Sequence, residues 1–334
     1  MNLPASAPAA VRSSTAPHSV TVGMKDLLAP GAGEVLVRTQ YCGLCGSDLH
    51  IWNGDDGYDW VPCGTTLGHE IVGTVVRDGQ GFAAGDRVTA IAQSGCGDCP
   101  SCLEDYANGC DGKVTLGLTR DGGAAAYVRI PASQLLAVPP GVPSKTAVLT
   151  EPLSVAARAV ASRGRITSED AVVVSGPGTI GILAALVCGY LGARVLLKGT
   201  ARDVADRARL AARLGLDLVE SVPGSFRPTV WIEAAGASAA LDDAVRELPV
   251  RGRLVMVALY GEPPVLAAND AVRKELDIIT SYSSHRPDYE LALAVLQAHP
   301  DLGELMVETV PLADIAGAFE KVGRGASPKV AVVP

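Results

Sequence analysis

The sequence predicts an α/β protein in which a β-rich, barrel-like domain precedes a doubly wound parallel sheet. The chain has 334 residues, which is too long for one ordinary core and suits about two domains. Its first 150 residues contain short apolar runs broken by Gly and Pro. From residue 154 to 283, apolar strands alternate with helices rich in Ala, Leu and Arg, which is typical of a parallel sheet covered by helices.

The β-rich part is predicted from β-like runs at residues 34–38, 71–76 and 126–130, which are separated by glycine-containing turns. The first strand is poorly defined. Residues 1–20 are rich in Ala, Ser and Pro, which is a low-complexity composition, and they lack the apolar stretch of a secretory signal. The sequence therefore leaves the N-terminal edge of the barrel undefined.

The parallel sheet is predicted from repeated strand–helix units. The predicted elements are a strand at 171–174, a helix at 180–191, a strand at 194–197, a helix at 204–214, and strands at 230–233 and 252–257. The tail is expected to hold amphipathic helices at 291–297 and 315–322 and a final strand at 329–333.

Composition and charge exclude several classes of partner. The net charge of −8, without any block of Lys and Arg, argues against nucleic acid. The longest apolar run, residues 180–193, is too short and too interrupted by Gly to span a membrane. Eight cysteines in a chain of this length do not resemble a small secreted disulfide framework, so we expect a cytoplasmic protein.

Four of the cysteines lie in one lobe, at about residues 94–111, with the spacing C-x2-C-x2-C-x7-C. They are Cys96, Cys99, Cys102 and Cys110. Four thiolates on such a segment can close around one tetrahedral Zn²⁺ and leave no open position. Two disulfides or four buried thiols are the alternatives, but cysteines two residues apart on a Gly/Pro turn converge on a metal more readily. The lobe is thus predicted to hold a structural zinc ion.

A glycine-rich turn follows the first buried strand of the second domain. Gly176, Gly178 and Gly181 form a G-x-G-x-x-G motif that also includes Thr179 and Ile180. In its strand–turn–helix context, the motif predicts a dinucleotide site in which the helix N-terminus binds the pyrophosphate. An ordinary glycine-rich loop is the alternative.

The end of the second strand indicates which dinucleotide binds. A site for NAD usually has Asp or Glu about 20 residues after the motif, to bind the ribose 2′-hydroxyl. Here Thr200 occupies that position, and Lys198 and Arg202 flank it. Two cations without a carboxylate predict that NADP is preferred over NAD, because they can pair with a 2′-phosphate. Alternatively, both lie on a solvated loop.

Further metal-ligand candidates are Cys45, His69, Glu70 and Glu151, which lie on three separate segments. Nothing local shows that they meet. A lone His is more often structural than a ligand, and a lone Glu usually faces solvent.

The order of the motifs resembles that of the zinc-dependent medium-chain dehydrogenase/reductase family, and of its sorbitol/threonine dehydrogenase branch, over almost the whole chain. The matching segments are residues 43–48, 68–70, 85–88, the four-cysteine lobe, 151–152, 176–181 and 274–275. The resemblance implies a GroES-like catalytic domain (1–153), a Rossmann cofactor domain (154–288) and a C-terminal return to the catalytic domain (289–334).

The resemblance also implies roles for the scattered candidates. Cys45, His69 and Glu151 would hold a catalytic zinc ion, so that the chain would bind two zinc ions. Glu70 would lie beside the metal and could join its ligands, and Asp48 would support them. Three protein ligands leave one position for an alcohol, whose pKa zinc lowers before hydride passes to the nicotinamide.

The same segment offers a path for the proton. Ser47 can accept it from the substrate hydroxyl, and His50 can pass it outward. Alternatively, Ser47 is a turn hydroxyl and His50 a surface residue.

The substrate is predicted from the polar segments 51–60 and 281–286. Hydrogen-bonding groups on both segments favour a polyol, sugar, cyclitol or amino alcohol, because buried polar groups left unpaired reject apolar substrates. An enzyme resembling L-threonine 3-dehydrogenase and using NAD is the alternative, as is a nucleotide-binding relative without catalysis. The family resemblance implies a homodimer or homotetramer.

Overall fold

The computed structural model describes residues 3–104, 106–325 and 327–334. The strands are β1 (Ser6–Arg12), β2 (Val20–Asp26), β3 (Glu34–Gly43), β4 (Glu70–Val75), β5 (Arg87–Ala90), β6 (Gln93–Ser94), β7 (Val114–Thr115), β8 (Tyr127–Pro131), β9 (Leu135–Ala137), β10 (Ala171–Ser175), β11 (Arg194–Lys198), β12 (Leu218–Val219), β13 (Val230–Glu233), β14 (Arg253–Met256), β15 (Asp277–Thr280), β16 (Val307–Pro311) and β17 (Lys329–Val333).

The α-helices alternate with strands mainly in the second half of the chain. They are α1 (Gly46–Asn53), α2 (Pro100–Leu103), α3 (Ser144–Ala147), α4 (Thr150–Ala157), α5 (Thr179–Tyr190), α6 (Ala201–Arg213), α7 (Ser238–Glu247), α8 (Ala268–Arg273), α9 (Arg286–Ala298), α10 (Leu302–Met306) and α11 (Ile315–Arg324). In the described ranges, no helix combines the length and the apolar character needed to cross a membrane.

The chain forms two compact units, of which the first contains residues up to 151 together with 296–334. Its main sheet has the strand order β16-β17-β3-β4-β5-β9, and β8 also pairs with β3. Strand β17 runs parallel to β16 and antiparallel to β3, with Ala331 opposite Gly43. The C-terminal strand therefore lies beside the strand that leads to Cys45.

The N-terminal stretch differs from the sequence interpretation. Its low-complexity composition does not prevent it from forming β1, which pairs with β2 from Ser6 opposite Asp26 to Arg12 opposite Val20. Ala9 and Ala10 are buried, and the amide of Ala10 donates to the carbonyl of Ala124. The tertiary partner, rather than the weak β-propensity of Ala, decides the conformation of this segment.

The second unit contains residues 152–295. Its six parallel strands have the order β12-β11-β10-β13-β14-β15. The series β10 to β12 extends to one side and β13 to β15 to the other, so the order reverses between β10 and β13. In doubly wound sheets, ligands bind in the crevice at that point, beyond the carboxyl ends of the strands.

Candidate active site and metal centres

Cys45 is placed by the beginning of α1. It is the N-cap residue of that helix, and its amide donates to Oδ2 of Asp48 at 2.9 Å. The other oxygen of Asp48, Oδ1, accepts from the amide of Gly68 at 3.2 Å. Asp48 is fully buried and lies 3.9 Å from Nδ1 of His69. This carboxylate thus links the helix that carries Cys45 to the segment that carries His69.

His69 and Glu70 lie where the chain enters β4, and both are buried. A ligand atom from each of Cys45, His69 and Glu70 can be chosen so that all three lie within 4.8 Å of one another. The structure therefore brings together three of the four proposed ligands, although they come from segments about 25 residues apart.

Glu151, the fourth candidate, is on α4 and is not part of that close group. It still lies in the electrostatic field of the group. Burial raises the pKa of the Glu151 carboxyl to about 7, against the opposing effect of His69. Burial lowers the pKa of His69, but Asp48, Cys45 and Glu151 outweigh it and raise that pKa well above its usual value.

Lys329 is a site residue that sequence reasoning missed. It is the first residue of β17, it is buried, and its ammonium donates to Oε1 of Glu70 at 2.6 Å and to the carbonyl of Leu44 at 3.1 Å. Gly43 ends β3, the strand between β17 and β4, and lies opposite Glu70. A side chain at Gly43 would overlap the Glu70 carboxylate. A signal was present in the sequence, because a lysine at the start of an otherwise apolar strand is unusual.

The donor set fits a zinc ion. Sulfur, imidazole and carboxylate are the ligands that zinc prefers in proteins. Two buried atoms of the group, Nδ1 of His69 and Oε2 of Glu70, have no hydrogen-bond partner among the described residues. Buried polar atoms are rarely left in that state, so the group is suited to a cation.

If Glu151 is a ligand, as the family resemblance implies, zinc binding at this group is expected to weaken as the pH falls below about 7, because the Glu151 carboxyl and His69 must both lose a proton to bind the metal. Each proton released on binding changes the affinity about tenfold per pH unit. Chelator competition between pH 6 and 8 measures the slope. Glu151→Gln should show a slope shallower by about one proton per zinc. Equal slopes for the two proteins would contradict a role of Glu151 as a ligand.

The proposed proton path is only partly assembled. Ser47 and His50 both lie on α1, and Nδ1 of His50 is 2.5 Å from Oδ2 of Asp55 on an exposed surface. The His50 ring also stacks on Tyr58. Asp55 and Tyr58 thus hold the imidazole at the surface, and the relay through Ser47 and His50 stays a prediction.

The four-cysteine lobe forms a second candidate metal centre. The Sγ atoms of Cys96, Cys99, Cys102 and Cys110 all lie within 4.8 Å of one another, and all four cysteines are free. The amide of Cys96 also donates to Sγ of Cys110 at 3.3 Å. This spacing suits a tetrahedral site with Zn–S bonds of about 2.3 Å.

The glycine-rich turn lies between β10 and α5. Gly176 has a φ of 92°, a conformation that favours glycine, and a side chain there would overlap Ala235. Gly178 is the N-cap of α5, without a side-chain cap, and a side chain at Gly181 would overlap the Gly176 carbonyl. Thr179 and Ile180 begin the helix. The turn thus presents a helix N-terminus to the crevice, as an anion site requires.

The three residues proposed to select NADP lie where β11 leads into α6. Lys198 forms an ion pair with Asp243 at 2.8 Å, while Thr200 caps α6 and accepts from the amide of Asp203. Arg202 is 87% exposed, and its nearest acid, Asp206, is 3.6 Å away. Arg202 is therefore the cation best able to reach a phosphate.

Comparison with known proteins identifies the family of the chain. Residues 31–140 match the alcohol dehydrogenase GroES-like domain, and residues 144–332 match the glucose dehydrogenase C-terminus. The chain belongs to the zinc-dependent medium-chain alcohol dehydrogenase family, and it is an oxidoreductase. The predicted fold class, with GroES-like and Rossmann domains, is confirmed.

Two relatives illustrate the similarity in sequence. A sorbitol dehydrogenase of Halalkalibacterium halodurans is 31% identical, over 91% of this chain and 93% of its own. An L-threonine 3-dehydrogenase of Aeromonas salmonicida is 29% identical, over 93% and 95%.

Two solved structures illustrate the similarity in fold. An alcohol dehydrogenase from Escherichia coli in complex with NADH has a TM-score of 0.86 and 25% identity, and covers 99% of this chain and 100% of its own. A protein described as a zinc-binding dehydrogenase, from Sinorhizobium meliloti and bound to NADP, has a TM-score of 0.85 and 25% identity, with the same coverage.

Proposed function

We propose that this protein interconverts a secondary alcohol and a ketone, using one zinc ion held by Cys45, His69 and Glu151 and a nicotinamide dinucleotide. The observation that carries the proposal is the close approach of Cys45, His69 and Glu70 in a member of a dehydrogenase family. Two buried atoms of this group have no hydrogen-bond partner among the described residues. An inactive relative would have no reason to keep such a donor set. The four-cysteine lobe would hold a second, structural zinc ion.

The residues around the centre have distinct tasks in this proposal. When bound, zinc supplies the Lewis acidity that favours loss of the alcohol proton. Asp48 links the segments that carry Cys45 and His69, and Lys329 donates to Oε1 of Glu70, so Oε2 would be available to the metal. Ser47 and His50 would carry the released proton to solvent.

The proposed substrate is a polyol, sugar, cyclitol or amino alcohol. The support is the polar character of residues 51–60 and 281–286, together with relatives named for sorbitol and for 2-dehydro-3-deoxy-L-galactonate. Several relatives named for L-threonine favour the second candidate, an L-threonine dehydrogenase using NAD.

A substrate panel tests both candidates. Polyols, sugars, aminocyclitols and L-threonine are offered with each dinucleotide, and the reduced cofactor is followed by its absorbance with and without a chelator. Oxidation of a polyol that the chelator abolishes supports the first candidate, and oxidation of L-threonine with NAD supports the second. Turnover of neither class by the zinc-loaded protein would contradict the proposal.

The proposed preference for NADP gives a direct prediction. Arg202→Ala is expected to lower kcat/KM for NADP about tenfold and to leave the value for NAD nearly unchanged, because a charge-assisted bond to the 2′-phosphate is lost. Arg213→Ala, which removes an exposed arginine at the other end of α6, is the control. A wild-type protein that prefers NAD, or an equal loss with both cofactors, would contradict this assignment.

We also propose that the protein is a homo-oligomer, with a second copy paired along β15. That strand ends the six-stranded sheet, its residue Ile278 is 41% exposed, and Val272 on α8 is 76% exposed. Unpaired strand edges invite pairing, and a strand can pair antiparallel with its own copy about a two-fold axis.

Ile278→Asp is accordingly expected to convert dimers to monomers, or tetramers to dimers, in light scattering at micromolar concentration. The buried charge would oppose pairing. Val250→Asp, a change at another exposed apolar residue of the same unit, is the control. A wild-type monomer would contradict the proposal.

A further inference from the structure

The loop after β13 is held by a buried carboxylate that belongs to neither of the two candidate metal centres. Glu233 is the last residue of that strand and is fully buried. Its Oε1 accepts from the amides of Ala235 and Gly236 at 2.7 and 2.9 Å, and its Oε2 accepts from the Tyr260 hydroxyl at 2.5 Å. Among the described residues, no Lys, Arg or His forms an ion pair with Glu233, so its carboxylate is held by these three hydrogen bonds.

The bond to Tyr260 joins two loops. Tyr260 lies beyond the end of β14, and the Glu233 carbonyl also accepts from the amides of Val257 and Ala258 in that second loop. Gly236 has a φ of 68°, and a side chain there would come within 3.0 Å of the Leu259 carbonyl. The carboxylate and the phenol therefore fix the loops after β13 and β14 against each other.

The first of these loops also borders the glycine-rich turn. A side chain at Gly176 would overlap Ala235, so turn and loop touch through their backbones. The amide of Ala234 donates to the carbonyl of Ser175, the residue before the turn. The loop after β13 therefore packs directly against the point where the strand order reverses.

In a doubly wound sheet each half binds one mononucleotide. Lys198, Thr200 and Arg202 lie at or just after the end of β11 and would serve the half that binds the adenosine. The loops after β13 and β14 belong to the other half, where the nicotinamide nucleotide would bind.

We propose that Glu233 and Tyr260 are positioning residues for the nicotinamide half of the cofactor, and that their hydrogen bond sets the shape of that subsite. The inference rests on the proposed function, since it requires a dinucleotide on the glycine-rich turn. It assigns a role to a buried acid and a half-buried phenol that the chemistry of the metal centre does not use.

A comparison of the affinities for NADPH and for its adenosine fragment, 2′,5′-ADP, distinguishes this role from a general effect on protein stability. Affinities are measured without alcohol. Binding of NADPH is followed by energy transfer from the tryptophans, one of which, Trp231, lies in β13, and binding of 2′,5′-ADP is followed by competition. Tyr260→Phe keeps the ring and removes the donor. It is expected to weaken NADPH about tenfold, as the loss of one hydrogen bond to a charged group predicts, and to leave 2′,5′-ADP within about twofold. Glu233→Gln should act in the same direction, and Tyr190→Phe, on α5, is the control.

Each outcome decides between the alternatives. Unchanged NADPH binding by folded Tyr260→Phe overturns the inference, and so does equal weakening of NADPH and 2′,5′-ADP, which would indicate a merely structural bond. If the wild-type protein binds neither NADPH nor NADH, the proposed function fails, and the inference fails with it.

Discussion

His69→Ala is expected to remove one of two zinc ions per chain and nearly all activity. The imidazole is buried within ligand distance of Cys45 and Glu70, and no other described histidine joins this group. Polarisation by a metal is worth several kcal/mol, and each 1.36 kcal/mol is tenfold in rate, so kcat/KM should fall by about 10³-fold or more. Metal analysis of the dialysed variant and its steady-state kinetics measure the two effects.

Cys99→Ser is the matched comparison, because it affects the other centre. It should also lose one zinc ion, but its main effect should be a lower melting temperature, with kcat per folded molecule retained within about tenfold. The two variants therefore separate a catalytic centre from a structural one. Two retained zinc ions in His69→Ala, or turnover within tenfold of wild type, would contradict the assignment.

Local features of the second unit could be predicted because their causes are local. Gly176 adopts a positive φ in the turn and Gly181 approaches the Gly176 carbonyl, so both glycines appear in the sequence as a motif, although Gly176 also lies against the distant Ala235. Helix α6 begins at Ala201, earlier than the predicted 204, because Thr200 and Asp203 form reciprocal capping bonds. That pair was also readable from the sequence.

The active site could be predicted only in part, because its causes are distant in the chain. Spacing alone does not bring Cys45 near His69, and family resemblance supplied the ligand set. The structure supplies what the resemblance did not. Strand β17 inserts beside β3, and this places Lys329 next to Glu70, 259 positions away. A pairing between strands so far apart leaves no periodic signal in the sequence.

The Lys329–Glu70 pair gives the second large prediction. Lys329→Met is expected to lower the free energy of unfolding by about 3–5 kcal/mol, because it leaves the Glu70 carboxylate buried without its cation. Burial lowers the pKa of Lys329, but Glu70, Cys45 and Glu151 outweigh it and raise that pKa, so the ammonium stays charged in the folded protein. Denaturant unfolding, compared with and without zinc, measures the loss, which should be largest without the metal.

Two further variants show whether the buried pair is the cause. Lys25→Met breaks an ion pair with Asp121 of the same length, 2.6 Å, but both side chains are partly exposed, so it should cost only about 0–1 kcal/mol. Adding Glu70→Gln to Lys329→Met removes the stranded charge and should recover part of the stability, because neighbouring changes that share one interaction are not additive. If Lys329→Met costs no more than Lys25→Met, or if the double variant is less stable than Lys329→Met alone, the ammonium is not what stabilises the buried Glu70 carboxylate.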